Sequence, residues 1–172
     1  PSKACRLRCG DPDESMLHLM SCKHARPYWK AVIHFLQSVL GLPRIIRIDR
    51  LIIFNEIGGR VVATAACAFI RHAFNTFYRD FAMVDTHHKP FDWQKTFNRA
   101  MLSYQSAVHA WAESIKIFTT HRRYTKQTRQ VPEDTLHRFP KLVTFTGNGL
   151  AYHLTSEFKK AVHDAAEAAK RP

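Results

Sequence analysis

Glycine and proline are scarce in this sequence of 172 residues, which contains six of the first and eight of the second. Helix-forming residues are plentiful, and the few Gly and Pro stand at plausible element boundaries. The composition therefore predicts a mainly helical protein. Apolar residues make up 45% of the chain and include twelve Phe. That proportion predicts a packed interior and excludes wholesale disorder.

Long hydrophobic runs are missing as well. The longest, "VVATAACAFI", has about half the length that crossing a bilayer requires, so no membrane association is expected. No secretory signal is present, and the chain begins at Pro1 instead of Met. We therefore expect a processed or trimmed N-terminus, or a piece cut from a longer polypeptide.

Catalytic motifs are also lacking. Gly58-Gly59 is not followed by the Lys-Ser/Thr of a phosphate-binding loop. Eleven His are scattered without a Ser or Cys partner at a telling spacing, and His87-His88 is best explained as part of a solvated loop. We expect no enzymatic activity and no small-molecule substrate.

Acidic residues are few: 14 Asp and Glu face 26 Lys and Arg, which gives a net charge of +12. This excess favours a polyanionic partner such as nucleic acid, the alternative being a basic protein that is merely soluble. The excess is concentrated in two places. Residues 1–60 carry ten basic and five acidic groups, and residues 114–141 carry seven and two. The distribution predicts two separate anion-contacting surfaces.

The hydrophobic pattern predicts three helices in the first two thirds of the chain. In 25–40 apolar residues recur at helical spacing, Pro27 suits the first turn and Gly41 suits a C-terminal cap. Long amphipathic helices are predicted at 60–83 and 91–121, as an antiparallel pair that the first helix crosses. The rings expected between them are those of Phe69, Phe77, Trp93, Phe97, Tyr104 and Trp111.

Three further segments complete the expected fold. "IIRIDRLIIFN" suits either a strand or a short buried helix. Gly147-Asn148-Gly149 between alternating residues predicts a small β-hairpin, and Thr155 or Ser156 can cap a C-terminal helix. The predicted divisions are a zinc-knuckle and helix module at 1–41, a helical core with a basic segment at 42–130, and hairpin plus helix at 131–172.

Three of the four cysteines and one histidine fall within 18 residues, as Cys5-x3-Cys9-x8-His18-x3-Cys22. Two closely spaced ligand pairs joined by a loop predict a structural zinc site. The first 22 residues show no periodicity and are expected to form a loop that the metal organises. The alternatives are a disulfide with a leftover thiol, incidental cysteines, or His24 as a substitute ligand.

This segment resembles the zinc-binding segment downstream of the reverse transcriptase in non-LTR (LINE-type) retrotransposons. The matching residues, in order, are Cys5, Cys9, Gly10, Glu14, His18, Leu19, Cys22, Ala25 and Trp29. The family commonly has two residues between the first two cysteines and four between the histidine and the last cysteine. This chain has three residues at each of these places. The resemblance implies zinc, nucleic-acid binding and a mobile-element origin, and it covers about residues 5–40. It brings no polymerase activity, because the sequence has no Asp-Asp pair.

Two groups of residues are predicted to contact nucleic acid. A basic collar surrounds the cluster and consists of Lys3, Arg6, Arg8, Lys23 and Arg26. The acid-free stretch "HRRYTKQTRQ" at 121–130 contributes Arg122, Arg123, Tyr124, Lys126 and Arg129, with the Tyr ring available to a base. The alternative for this stretch is a solvated linker.

Three hypotheses follow. The first is a non-enzymatic, zinc-containing RNA-binding subunit of a ribonucleoprotein, derived from a retrotransposon. The ribosome is one candidate for this ribonucleoprotein, and the other subunits of the ribonucleoprotein are then expected partners. The second is the C-terminal nucleic-acid-binding domain of a non-LTR retrotransposon reverse transcriptase. The expected nucleic acid is RNA, with DNA as the alternative. The third is a helical protein–protein adaptor with structural zinc. The expected location is intracellular: mitochondrial or otherwise organellar for a ribosomal subunit, nuclear or cytoplasmic for a retrotransposon protein.

Overall fold

A computed structural model describes residues 4–12, 14–42, 60–87, 90–124, 142–146 and 151–170. In this part of the chain five helices and one two-stranded hairpin follow one another. They are α1 (Met16–Ser21), α2 (Arg26–Ser38), α3 (Arg60–His87), α4 (Trp93–Tyr124), β1 (Val143–Thr146), β2 (Ala151–Leu154) and α5 (Ser156–Lys170). The predicted mainly helical fold with an N-terminal Cys/His cluster is confirmed.

The two long helices, α3 and α4, pack side by side in opposite directions. Near the start of α3, the Tyr104 hydroxyl donates to the carbonyl oxygen of Ala65 over 3.0 Å. Towards its end, the Arg99 guanidinium donates to both carboxylate oxygens of Asp80 at 2.9 Å. Because the partner on α4 moves back along the sequence as α3 advances, the pair is antiparallel, as predicted.

Helix α2 lies against both long helices. Its Tyr28 hydroxyl donates to the carbonyl of Ala73 on α3 over 2.6 Å. The centre of the Phe35 ring lies 4.4 Å from that of Phe69 on α3 and 6.2 Å from that of Tyr104 on α4. One hydrophobic cluster extends from the N-terminal segment through all five helices and the hairpin. Residues of all three predicted divisions therefore contribute to the same core.

The turn signals at both ends of α2 act as predicted. Pro27 occupies the first turn, where a missing N–H costs no hydrogen bond. Gly41 adopts a positive φ of 65°, which turns the chain back so that the Leu42 N–H bonds to the Leu36 carbonyl at 3.1 Å. At the other end of the protein, Thr155 caps α5 by accepting from the Phe158 N–H at 3.3 Å.

The hairpin strands pair antiparallel, with Val143 opposite Leu154 and Thr146 opposite Ala151. Its predicted turn, 147–149, lies outside the described residues, and so does the ambiguous segment 45–55.

The structure corrects three expectations. The loop predicted for 1–22 contains the short helix α1, which is too brief to show periodicity. The long helices continue to His87 and Tyr124, so the stretch 121–130 begins inside α4, whose basic last turn suits the negative end of the helix dipole. Trp93, which helical spacing predicts in the core, is 36% exposed, because it occupies the first turn of α4 at the rim of the core.

Candidate metal centre

The turn that carries the first two cysteines is built from two residues with positive φ. Arg8 has φ 53° and Gly10 has φ 92°. The Arg8 N–H donates to the Cys5 carbonyl at 2.8 Å and closes the turn. The left-handed Arg8 thus accommodates the extra residue in the Cys5-x3-Cys9 step, so that Cys9 comes back beside Cys5.

Helix α1 positions the second ligand pair. The Ser15 hydroxyl accepts from the His18 N–H at 3.1 Å and caps the helix. Cys22 directly follows α1, and its N–H bonds to the His18 carbonyl at 2.6 Å. His18 and Cys22, one turn apart, therefore point to the same side.

The four predicted ligands converge. The three Sγ atoms and one imidazole nitrogen all lie within 4.8 Å of one another. The sulfurs of Cys5 and Cys22 are 3.9 Å apart, and Cys9 Sγ is 3.2 Å from His18 Nε2. No cysteine is in a disulfide. These four residues can hold a metal ion, and the exposed His24 is not part of the group.

Asp11 completes the surroundings of the cluster. Its carboxylate Oδ2 lies 2.9 Å from Nδ1 of His18, on the side of the ring away from the sulfurs. Its backbone N–H donates to Cys9 Sγ at 3.4 Å, and its carbonyl accepts from the Cys5 N–H at 3.1 Å. Sequence reasoning missed Asp11, because such a residue supports ligands without sharing their spacing.

The first two cysteines differ in acidity. Burial raises the pKa of the Cys5 thiol to about 12. The Asp11 N–H bond stabilises the Cys9 thiolate and lowers the pKa of Cys9. Metal binding requires both as thiolates, and a bound cation supplies the charge that stabilises them.

Several contacts join this segment to the helices. The Trp29 indole N–H donates to the Leu19 carbonyl at 3.1 Å. Arg6 pairs with Glu14, Nε to Oε1, at 3.1 Å, and its guanidinium lies 5.3 Å from the centre of the Phe81 ring on α3. The site is therefore held against the main core.

The residues of the predicted basic collar differ in their exposure and in the contacts of their side chains. Arg8, Lys23 and Arg26 are exposed. Arg6 is exposed too, but its guanidinium is engaged by Glu14 and Phe81. Lys3 lies outside the described residues.

For the stretch 121–130, the structure describes only the backbone of 121–124. Arg122, Arg123 and Tyr124 belong to the last turn of α4, and their side chains are not described. Lys126 and Arg129 lie outside the described residues. The predicted contacts of this stretch remain predictions.

None of the described helices is long and apolar enough to span a bilayer. The chain matches no protein-family model, no curated protein and no solved structure.

Proposed function

We propose that this protein is a non-enzymatic RNA-binding subunit of a ribonucleoprotein, with a structural zinc ion held by Cys5, Cys9, His18 and Cys22. The observation that carries the proposal is a four-ligand cluster packed directly against a helix whose exposed charges are all basic.

The ligand set and its distances support zinc. Three thiolates and one imidazole are typical of structural zinc sites. Two thiolates at about 2.3 Å from a tetrahedral ion lie about 3.8 Å apart, and the Cys5 and Cys22 sulfurs are 3.9 Å apart. Four protein ligands leave no open coordination position for a substrate, which supports a structural role.

The charge around α2 supports a polyanionic partner. Residues 15–48 include no Asp or Glu. Lys23, in the turn before the helix, is exposed, and so are Arg26 and Lys30. The last two lie one turn apart and therefore share a face. Because no neighbouring position in the sequence is acidic, these side chains are suited to phosphate contacts.

RNA is proposed as the nucleic acid because Tyr124 stands among basic residues, a mixture suited to irregular single strands. A retrotransposon origin rests on the resemblance alone. Five of the matching residues, Cys5, Leu19, Cys22, Ala25 and Trp29, are buried. The resemblance equally supports the alternative of a nucleic-acid-binding domain joined to a reverse transcriptase.

The test combines metal analysis with the salt dependence of RNA binding. We expect one zinc per purified chain. The triple variant Lys23→Gln, Arg26→Gln, Lys30→Gln should bind single-stranded RNA more weakly. Its slope of log affinity against log salt should become shallower by about 0.7 for each phosphate that the variant can no longer neutralise.

The matched control is a triple variant of exposed basic residues on other helices, Arg71→Gln, Lys95→Gln, Lys159→Gln, which should change the slope less. Absence of zinc would contradict the metal assignment. An unchanged slope in the α2 variant would contradict RNA binding by this face, and salt-insensitive binding to a protein would favour the adaptor hypothesis.

A further inference from the structure

A cleft of about 550 Å³ opens between three helices: α2, the N-terminal part of α4, and α5. Its inner surface is mostly apolar and includes Phe35, Val39, Phe97, Met101 and Ala165. A volume of this size is typical of sites that take a small organic group. None of the four Cys/His ligands lines this cleft.

Asn98 is the unusual residue of this cleft. It is only 3% exposed, and its Nδ2 has no hydrogen-bond acceptor among the described residues. A buried amide without a partner is unfavourable, and natural proteins keep few of them. Nδ2 is closed to solvent, so a ligand in the cleft that offers an acceptor would satisfy it once the amide group turns toward the cleft.

An aromatic side chain lines the same cleft. Trp93 lines the cleft and is 36% exposed. Phe97 follows one helical turn later and Met101 one turn after that, so the three side chains form a single row. A flat group can stack on the exposed indole ring, and Asn98 lines the same cleft from the same helix.

The charged residues at the rim of the cleft indicate which part of a nucleotide the cleft can accept, the base or the phosphate. On the α5 side Lys160 stands between Glu157 and Asp164, a mixture that disfavours a phosphate within the cleft. On the α2 side the rim residue is His34, one turn beyond Lys30 on the same exposed face. A nucleic-acid backbone can follow this acid-free face while a base enters the cleft.

We propose that this cleft binds one unstacked nucleobase of a single-stranded RNA, with Trp93 as the stacking surface and Asn98 bonding to the edge of the base. Proteins that recognise single strands commonly combine these two contacts. The proposal rests on the proposed RNA binding and adds to it a site that reads a base.

The experiment compares short single-stranded RNA homopolymers with abasic ribose-phosphate oligomers of the same length. The native protein should bind the base-bearing strands more tightly. Trp93→Ala should weaken their binding about tenfold and leave abasic binding unchanged. Trp93→Phe, which keeps an aromatic face, should retain most of the preference, and Leu102→Ala, an exposed apolar change on the same helix, should have no effect.

Asn98→Leu tests the amide separately. Leu has nearly the same size and no unsatisfied polar atoms, so this variant should melt at the native temperature or above it. It should nevertheless lose discrimination among the four homopolymers. Base stacking should also quench the fluorescence of Trp93 in the native protein, a signal that Trp93→Phe removes.

The outcomes separate this inference from the proposed function. Equal affinity of the native protein for abasic and base-bearing strands, with salt-dependent binding of both, overturns the base site and leaves RNA binding intact. Unchanged preference in both Trp93→Ala and Asn98→Leu also overturns it, as expected if the cleft instead holds a peptide. Failure to bind either strand overturns both proposals.

Discussion

The carboxylate of Asp11 and the imidazole of His18 lie 2.9 Å apart, Oδ2 to Nδ1. The other ring nitrogen, Nε2, faces Cys9 Sγ at 3.2 Å. When Nδ1–H donates to the carboxylate, the lone pair of Nε2 is directed at the position between the sulfurs. Asp11 therefore orients the ring for metal binding without being a ligand.

Asp11→Ala should weaken zinc binding about tenfold to 100-fold, because the ring loses the partner that orients it. Competition with a chromophoric chelator measures the affinity. Asp164→Ala, which removes an exposed carboxylate on α5, is the control and should leave zinc affinity unchanged. Equal affinities of the native protein and Asp11→Ala would show that His18 is held in place by α1 alone.

Arg8→Gly should stabilise the N-terminal segment by up to about 1 kcal/mol, because Arg8 holds a left-handed conformation that glycine adopts without steric cost. Urea denaturation of the zinc-loaded protein measures the change. Arg8→Ala removes the same charge but keeps a Cβ, so it should bring no such gain. A gain of equal size in both variants would assign the effect to charge.

Tyr104 links pH to stability. Its hydroxyl is buried and donates to the Ala65 carbonyl, and burial raises its pKa above the usual range. In the unfolded chain a Tyr ionises near pH 10, so the unfolded state loses this proton first as pH rises. The protonated Tyr104 hydroxyl therefore makes its full contribution to the free energy of unfolding below about pH 10. Above that pH the free energy of unfolding decreases, by up to about 1.4 kcal/mol per pH unit for this residue.

Unfolding free energies measured from about pH 9 to 11 should therefore decrease less steeply in Tyr104→Phe than in the native protein. Tyr78→Phe is the control, because the ring of Tyr78 is 53% exposed. Parallel pH curves for Tyr104→Phe and the native protein would contradict the prediction.

Phe69→Ala should lower the free energy of unfolding by about 3–5 kcal/mol. The ring is fully buried, and its centre lies 4.4 Å from that of Phe35 and 5.2 Å from that of Tyr104. Its removal leaves a cavity where three helices meet. Leu102→Ala, on the exposed side of α4, should change stability by no more than about 0.5 kcal/mol. A similarly small destabilisation in both variants would mean that the core relaxes around the missing ring.

The predictions from sequence succeeded where one periodic pattern or one set of ligand types decides the structure. Helix α2 and the four-residue cluster are of this kind. The predicted burial of Trp93 was wrong. Helical spacing predicts which face of a helix a residue lies on, whereas its burial depends on which other element packs over that turn of the helix. Asp11 and the conformation of Arg8 depend on how the turn between Cys5 and Cys9 folds in space, which spacing does not describe.

The contact surface between the metal-binding segment and the rest of the protein limits how this segment could be exchanged during evolution. Leu7, Leu19 and Met20 face the same interior as Phe77 on α3. Transfer of residues 4–24 alone to another protein would leave these three side chains exposed to water. A viable recombination or domain graft would therefore have to include α2 and a matching α3 surface.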